Sequence, residues 1–122
     1  ASRSDGMGIS ALKNAGLKLL ILSKERNPVV ARRAEKLQIE VIQACDNKLE
    51  ALTEWLSKNQ LPLSQCAYVG NDINDLQCMQ AVKLAIAPID AHPLATQAAH
   101  WRLTRAGGKG AIRELSDAII NC

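Results

Sequence analysis

Short apolar runs alternate with helical patterns along nearly the whole chain, and this alternation constrains the fold more than any other feature. The apolar runs are rich in leucine or β-branched residues and lie at Leu17–Leu22, Glu40–Gln43, Cys66–Val69, Leu84–Ala87 and Trp101–Leu103. Helical patterns lie before, between and after them, over Ile9–Asn14, Pro28–Leu37, Lys48–Lys58, Asp72–Val82, Leu94–Ala99 and Ala111–Ile120. Alternating strands and helices are typical of a parallel sheet with helices on both faces. The sequence therefore predicts an α/β fold with a doubly wound parallel sheet.

Local signals support these boundaries and a single domain. Asn27 suits the N-cap of the helix that Pro28 opens. Asp46 or Asn47 suits the cap of the helix that begins at Lys48. Glycines and prolines fall between the predicted elements, and the 122 residues contain no repeat or linker. We therefore expect one domain over residues 1–122.

Composition excludes several classes of protein. A hydrophobic fraction of 48% with a net charge of only +3 argues against intrinsic disorder. No apolar run approaches the roughly 20 residues that span a bilayer, and no signal peptide is recognisable, so we expect no membrane association. An aromatic content of 2% and this weak positive charge argue against a nucleic-acid partner.

The cysteine pattern indicates the cellular compartment, and the first residues indicate whether the chain is a fragment. The four cysteines form no CxxC pair and have no histidine at zinc-ligand spacing; they are Cys45, Cys66, Cys78 and Cys122. Three lie in apolar surroundings, which predicts buried free thiols in a reducing, cytoplasmic compartment. The chain begins with Ala1–Ser2 rather than Met. We therefore expect a fragment, a processed product or a trimmed chain.

Polar side chains follow three of the predicted strands, at the point where each strand ends. Ser23 follows the first strand, Lys48 comes after the second, and Asn71, Asp72 and Asp75 follow the third. The carboxyl ends of parallel strands meet at one edge of a sheet, where ligands bind in open α/β folds. A hydroxyl and an ammonium group suit a phosphate, and carboxylate or amide oxygens suit Mg²⁺.

Each of these residues also has an ordinary explanation. Ser23 alone is more typical of a turn or a cap, and Lys48 alone is more typical of a solvent-facing side chain. Asp72 and Asp75 could equally serve the dipole at the start of a helix. The joint occurrence of these residues, in order and each after a strand, favours the phosphate and metal site.

With these residues, the chain resembles the haloacid dehalogenase (HAD) superfamily of phosphotransferases. Ser23 matches the hydroxyl of motif II, Lys48 the lysine of motif III, and Gly70–Asp75 the acidic turn of motif IV. Asp5–Ile9 and Gly107–Glu114 resemble segments of the small capless phosphatases that act on 3-deoxy-octulosonate 8-phosphate and on nine-carbon ulosonate 9-phosphates. The same module forms the C-terminal domain of many N-acylneuraminate cytidylyltransferases, the CMP-sialic acid synthetases.

The resemblance implies roles for individual residues. Ser23 and Lys48 would be catalytic, stabilising the oxygens of the phosphoryl group. The phosphate contacts would be Ser23, Lys24 and Lys48. The Mg²⁺ ligands would be Asn71, Asp72 and Asp75, and the residues facing the sugar would be Glu25 and Arg113. It also implies a phosphorylated eight- or nine-carbon sugar acid as substrate and a homo-oligomer, either tetramer or dimer.

This sequence departs from the superfamily pattern at two motifs. The apolar strand of motif I, which ends in DxD and carries the nucleophilic aspartate, is not found in these residues, so the domain is expected to be incomplete at its N-terminal side. Asn71 stands where the active phosphatases usually carry a metal-binding aspartate. The residues Ser23–Lys24–Glu25 stand where eight-carbon-sugar phosphatases tend to have Thr-Gly-Arg, and they resemble the sialic-acid side of the group instead.

These observations leave three hypotheses. The first is the core of a Mg²⁺-dependent sugar-phosphate phosphatase, expected to be inactive alone without its nucleophile. The second is the C-terminal domain of a CMP-sialic acid synthetase, with a non-catalytic role in assembly or regulation. The third is an unrelated doubly wound domain with accidental motifs.

Overall fold

A computed structural model of the protein describes residues 16–106. Its strands are β1 Leu20–Leu22, β2 Glu40–Ile42, β3 Ala67–Val69, β4 Leu84–Ala87 and β5 Trp101–Arg102. Its α-helices are α1 Pro28–Leu37, α2 Lys48–Lys58, α3 Leu76–Ala81 and α4 Pro93–Ala98. Short 3₁₀ turns span Leu63–Gln65 and Ile73–Asp75. The helices predicted over 9–14 and 111–120 lie outside the described residues.

The strands pair in parallel and form two sheets. β1 pairs with β2 in one sheet, and the other has the order β3, β4, β5. Within the described residues, β1 and β3 therefore each pair on one side only. The helices join the two sheets, because α2 packs on β1 and on α3, and α3 packs on β3 and β4. The predicted α/β fold with parallel strands is confirmed.

The main core lies between the helices and one face of the strands. It contains buried side chains of α2 (Leu52, Trp55, Leu56), of α3 (Cys78, Met79) and of β4 (Ala85, Ala87). Burying a large apolar side chain of this kind stabilises the fold by about 1.5–3 kcal/mol. Ile86 lies between Ala85 and Ala87 and belongs to a second buried cluster with Leu103. Successive strand residues point to opposite faces, so β4 is covered on both of its faces.

Helix starts follow the capping signals in the sequence. The Asn27 side chain accepts a hydrogen bond from the Val29 N–H at 2.9 Å, and Pro28 occupies the first turn of α1. Asn47, rather than Asp46, caps α2 by accepting from the Glu50 N–H at 3.0 Å. These caps satisfy N–H groups that have no partner within the helix. They also fix where the loops from β1 and β2 end.

Two predicted elements differ from the structure by three or more residues at their amino ends, and two others, the strand predicted from Cys66 and the helix predicted from Leu94, differ there by one residue. The strand predicted from Leu17 begins at Leu20, and Leu17 itself is exposed. The helix predicted from Asp72 begins as the 3₁₀ turn Ile73–Asp75 and becomes α-helical only at Leu76. The reason is a capping box between Asp72 and Asp75, which ties the first turn to its own side chains.

The described cysteines agree with the prediction of free thiols. Cys45, Cys66 and Cys78 are free, with Cys45 and Cys78 buried. Burial raises the pKa of the Cys66 thiol and raises that of Cys78 to about 11.

Within residues 16–106, no helix is long and apolar enough to cross a membrane.

Candidate functional site

An ion pair joins the first residue of α2 to the turn after β3. Lys48, the first residue of α2, donates from Nζ to Asp75 Oδ1 at 2.8 Å and to Asn74 Oδ1 at 3.1 Å. The exposed fractions of the Lys48 and Asp75 side chains are 11% and 5%. The ammonium group is therefore held in place at the carboxyl edge of the strands. This position differs from that of a solvent-facing lysine.

Asp75 accepts hydrogen bonds on both of its carboxylate oxygens. Oδ1 accepts from Lys48 Nζ and from the Tyr68 hydroxyl at 2.5 Å. Oδ2 accepts from the N–H groups of Asn71 and Asp72 at 3.0 and 3.2 Å. Two acceptor directions on each oxygen are thus already used. Asp75 was predicted to bind Mg²⁺, and in this geometry its oxygens are directed to Lys48, Tyr68 and the turn backbone.

The electrostatics of this group favour a charged Asp75 and a neutral Tyr68. Burial alone would raise the pKa of the Asp75 carboxyl, but the hydrogen bonds from Lys48, Tyr68 and the Asn71 N–H outweigh it, so the pKa lies below its ordinary value of 3.8. Burial and the hydrogen bond to Asp75 raise the pKa of the Tyr68 hydroxyl well above its ordinary value of 10.0. The ionised carboxylate therefore has two stable donors on Oδ1.

Gly70 allows the turn after β3 to lie close to α3. A Cβ atom at this position would lie 2.6 Å from Met79 Sδ and 2.8 Å from Asp75 Cβ. The Gly70 N–H donates to the Ile86 carbonyl at 3.0 Å, which continues the pairing of β3 with β4. The absence of a side chain at Gly70 therefore lets Asp75 enter the buried position that it occupies.

Asn71 and Asp72 are exposed members of the acidic turn, as are Ile73 and Asn74. Asp72 Oδ1 accepts from the Ile73 N–H at 2.7 Å, and the Asn71 carbonyl accepts from the His92 N–H at 2.8 Å. The second bond ties the turn to the segment that starts α4. Amide and carboxylate oxygens are suitable ligands for a hard cation. They are a partial set, because residues 16–106 contain no group of three or more His, Cys, Asp or Glu arranged to hold a metal.

The loop after β1 lies beside the segment that leads to Lys48. The Ser23 N–H donates to the Ile42 carbonyl at 2.9 Å, and the Cys45 N–H donates to the Ser23 carbonyl at 3.0 Å. The Ser23 hydroxyl donates to the Glu25 carbonyl at 2.8 Å, within its own loop. Lys24 and Glu25 are exposed. The backbone thus brings Ser23 to the same edge as Lys48, while its hydroxyl bonds locally.

Some residues of this cluster were not singled out from the sequence. Tyr68 was interpreted only as part of an apolar strand, although a hydroxyl inside such a strand is a signal that a polar partner is near. The contacts of Asn74 with Lys48 and of His92 with the acidic turn have no comparable local signal. Arg113, predicted to face the sugar, lies outside the described residues.

The arrangement of a buried Lys–Asp pair, a strand-end serine and an acidic turn agrees with the phosphotransferase motifs. A family model described as haloacid dehalogenase-like hydrolase matches residues 12–114. The chain belongs to the haloacid dehalogenase-like hydrolases.

Similar hydrolases include phosphatases of an eight-carbon sugar acid. The 3-deoxy-D-manno-octulosonate 8-phosphate phosphatase KdsC of Yersinia pestis is 37% identical over 117 residues, which cover 95% of this chain and 63% of that protein. A protein of Streptomyces avermitilis, described as a HAD-family hydrolase, is 45% identical with a TM-score of 0.93 over 96% of this chain and 67% of its own.

A second similar structure contains ligands. The 3-deoxy-D-manno-octulosonate 8-phosphate phosphatase of Moraxella catarrhalis was solved with a magnesium ion, a phosphate ion and a KDO molecule. It is 34% identical, with a TM-score of 0.93 over 97% of this chain and 68% of its own.

This HAD-like hydrolase chain spans less than two thirds of the length of the curated KdsC relatives that it matches.

Proposed function

We propose that this chain is the core of a Mg²⁺-dependent phosphatase acting on a phosphorylated ulosonate, an eight- or nine-carbon sugar acid. The observation that carries the proposal is the Lys48–Asp75 pair, which holds an ammonium group at the strand edge that also carries Ser23. A fixed cation at this place suits a phosphoryl group, whose transfer depends mostly on positioning and electrostatics. The names of the KdsC relatives support the sugar-acid class of the substrate.

In this proposal, the phosphate contacts are Ser23, Lys24 and Lys48. Lys48 neutralises charge on the phosphoryl oxygens, and the Ser23 hydroxyl turns from the Glu25 carbonyl to donate to one of them. Lys24 is exposed in the same loop, and its flexible side chain adds positive charge. Glu25 and Arg113 are proposed to contact the sugar.

The metal-facing residues are proposed to be Asn71 and Asp72. Both are exposed and carry oxygen donors of the kind that Mg²⁺ prefers. Asp75 is assigned to the positioning of Lys48, because its own oxygens already accept four hydrogen bonds. Bound Mg²⁺ would neutralise negative charge on the phosphate.

The nucleophile is proposed to come from a strand that pairs with the open edges of β1 and β3. Each of these strands pairs on one side only within residues 16–106, and side chains of both pack on the same core. In the superfamily that the chain resembles, such a strand ends in DxD and its first aspartate forms an aspartyl-phosphate. We therefore expect the 122-residue chain to bind phosphate without hydrolysing a sugar phosphate.

The test combines binding and turnover measurements. Calorimetry with inorganic phosphate in the presence of Mg²⁺ should detect binding, and Lys48→Ala should weaken it by about 1–3 kcal/mol. Lys58→Ala is the matched control, because Lys58 is an exposed lysine at the opposite end of the same helix. Equal binding by wild type and Lys48→Ala would contradict the proposed site. Release of phosphate from 3-deoxy-octulosonate 8-phosphate by the chain alone would contradict its inactivity.

A second candidate function is assembly or regulation as the C-terminal domain of an N-acylneuraminate cytidylyltransferase. Asn71 favours it, because an exposed amide in the acidic turn brings no charge to a metal. Sedimentation of the chain tests the predicted tetramer or dimer. A stable oligomer that binds no phosphate would favour this second function over the first. The buried free thiols support a reducing, cytoplasmic location for either function.

A further inference from the structure

Tyr68 lies on β3 with its hydroxyl directed at the carboxylate that holds Lys48. Its Oη donates to Asp75 Oδ1 at 2.5 Å, and Lys48 Nζ donates to the same oxygen at 2.8 Å. A continuous chain of polar groups thus runs from Tyr68 through Asp75 to Lys48.

We propose that Tyr68 is a positioning residue, which sets the place of the Lys48 ammonium group by sharing Asp75 Oδ1 with it. The inference rests on the proposed function, because it takes Lys48 as a phosphate-binding group. Tyr68 itself touches no phosphate in this proposal. It acts on the phosphate site only through Asp75.

The geometry explains why the hydroxyl has consequences for Lys48. Asp75 Oδ2 is already used by the N–H groups of Asn71 and Asp72, so Oδ1 alone is available to side chains. With Tyr68 present, one acceptor direction of Oδ1 is used by the hydroxyl and one is left for Lys48. Without the hydroxyl, the desolvated Oδ1 has one donor fewer, and Lys48 Nζ is the side-chain donor that still contacts it and can move closer. Lys48 would then lie deeper and be less available to a phosphate.

The packing of Tyr68 does not require the oxygen. The Tyr68 ring packs against the main core, as the side chains of Leu20 and Leu22 do. A phenylalanine would preserve that apolar contact, so the hydroxyl serves its polar partners. Tyr68→Phe therefore removes the contact with Asp75 and leaves the ring in place.

The first readout is the Lys48 ammonium group itself, which does not depend on any activity. In ¹H–¹⁵N spectra of the lysine side chains, the Lys48 signal is assigned by its loss in Lys48→Arg. We expect Tyr68→Phe to shift this signal. The matched control is Trp55→Phe, which also removes a donor from a carboxylate, the 2.6 Å bond from Trp55 Nε1 to Glu40 Oε2. The control should leave the Lys48 signal unchanged, and an unchanged signal in Tyr68→Phe would overturn the proposal.

The second readout is affinity for inorganic phosphate with Mg²⁺. Tyr68→Phe should weaken binding about threefold to tenfold, the scale of one redistributed hydrogen bond. The effect should vanish in a Lys48→Ala background, since Tyr68 acts through Lys48. An equal effect in both backgrounds would mean that the hydroxyl acts by another route and would overturn the proposal. Absence of phosphate binding by wild type would instead contradict the proposed function, while the Lys48 signal would still decide the role of Tyr68.

Discussion

Lys48 and Asp75 are 27 residues apart in the chain, and their side chains meet at 2.8 Å. Within the described residues, the pair connects the start of α2, which follows β2 of one sheet, to the turn after β3 of the other sheet. Both partners are largely buried, so removing one leaves the other without its counter-charge in a poorly solvated place. The same contact therefore contributes to the stability of the fold and positions Lys48 in the candidate phosphate site.

Asp75 makes the free energy of unfolding depend on pH in the acid range. Its pKa is lower in the folded chain than the ordinary value of 3.8, so the folded state favours the ionised form. The stabilisation is fully present above that ordinary value and is lost as pH falls through the folded pKa. Urea unfolding from neutral to acid pH should show Asp75→Asn less stable than wild type at neutral pH, with the difference shrinking in acid. A constant difference at all pH values would contradict the assignment of an ionised Asp75. Asp72→Asn is the control, because Asp72 is exposed and makes only local bonds.

Gly70→Ala should destabilise the chain by about 1–3 kcal/mol, the scale of an overpacked site. The new Cβ would approach Met79 Sδ to 2.6 Å and Asp75 Cβ to 2.8 Å. Thermal or urea unfolding measures the change. Because the clash is partly with a flexible methionine, the double variant with Met79→Ala should be less destabilised than the sum of the two single variants. Strict additivity would mean that Met79 is not the neighbour that resists the new atom.

Local chemistry made some of this arrangement predictable. The caps Asn27 and Asn47 act within a few residues of their own helices, so their patterns were readable in the sequence. The meeting of Ser23 with the Lys48 segment followed from the shared edge of parallel strands. The pairing of Asp75 with Lys48 was not predictable in the same way, because an acidic turn is compatible with a metal, a helix dipole or a distant lysine.

The contact of the Tyr68 hydroxyl with Asp75 could not be predicted from the sequence for a related reason. In the sequence it occupies an apolar strand, and strand periodicity cannot tell whether its hydroxyl meets water or a buried carboxylate. The partner Asp75 lies seven residues further along the chain, in the turn after β3. Gly70 lies between them, and its lack of a side chain allows this turn to pack close to the strand. Such a contact depends on tertiary packing, which residue patterns do not contain.

The described cysteines should react with alkylating reagents in an order set by burial. The pKa of the Cys78 thiol is raised to about 11 and its side chain is fully buried, whereas Cys66 is partly exposed. The thiolate is the reactive form, so Cys78 needs local opening before it can react. Peptide mapping after iodoacetamide treatment should find Cys66 labelled first and Cys78 only with unfolding. Equal rates for the two in the folded chain would contradict the burial of Cys78.

Asn71→Asp should strengthen the binding of a divalent cation at the acidic turn. The exposed amide at Asn71 becomes a carboxylate beside Asp72, and a second negative charge at ligand distance is worth about a fivefold to tenfold gain in affinity for a surface site. Titration with Mg²⁺, or with Mn²⁺ followed by its paramagnetic effect on NMR signals, measures the change.

The control for Asn71→Asp is Gln65→Glu, which adds the same charge at an exposed residue just before β3, at the opposite edge of the sheet. A general effect of charge would strengthen cation binding in both variants by similar amounts. A gain confined to Asn71→Asp would support Asn71 and Asp72 as the metal-facing residues. Equal affinity of wild type and Asn71→Asp would place the cation away from Asn71, and the amide would then have no part in metal binding.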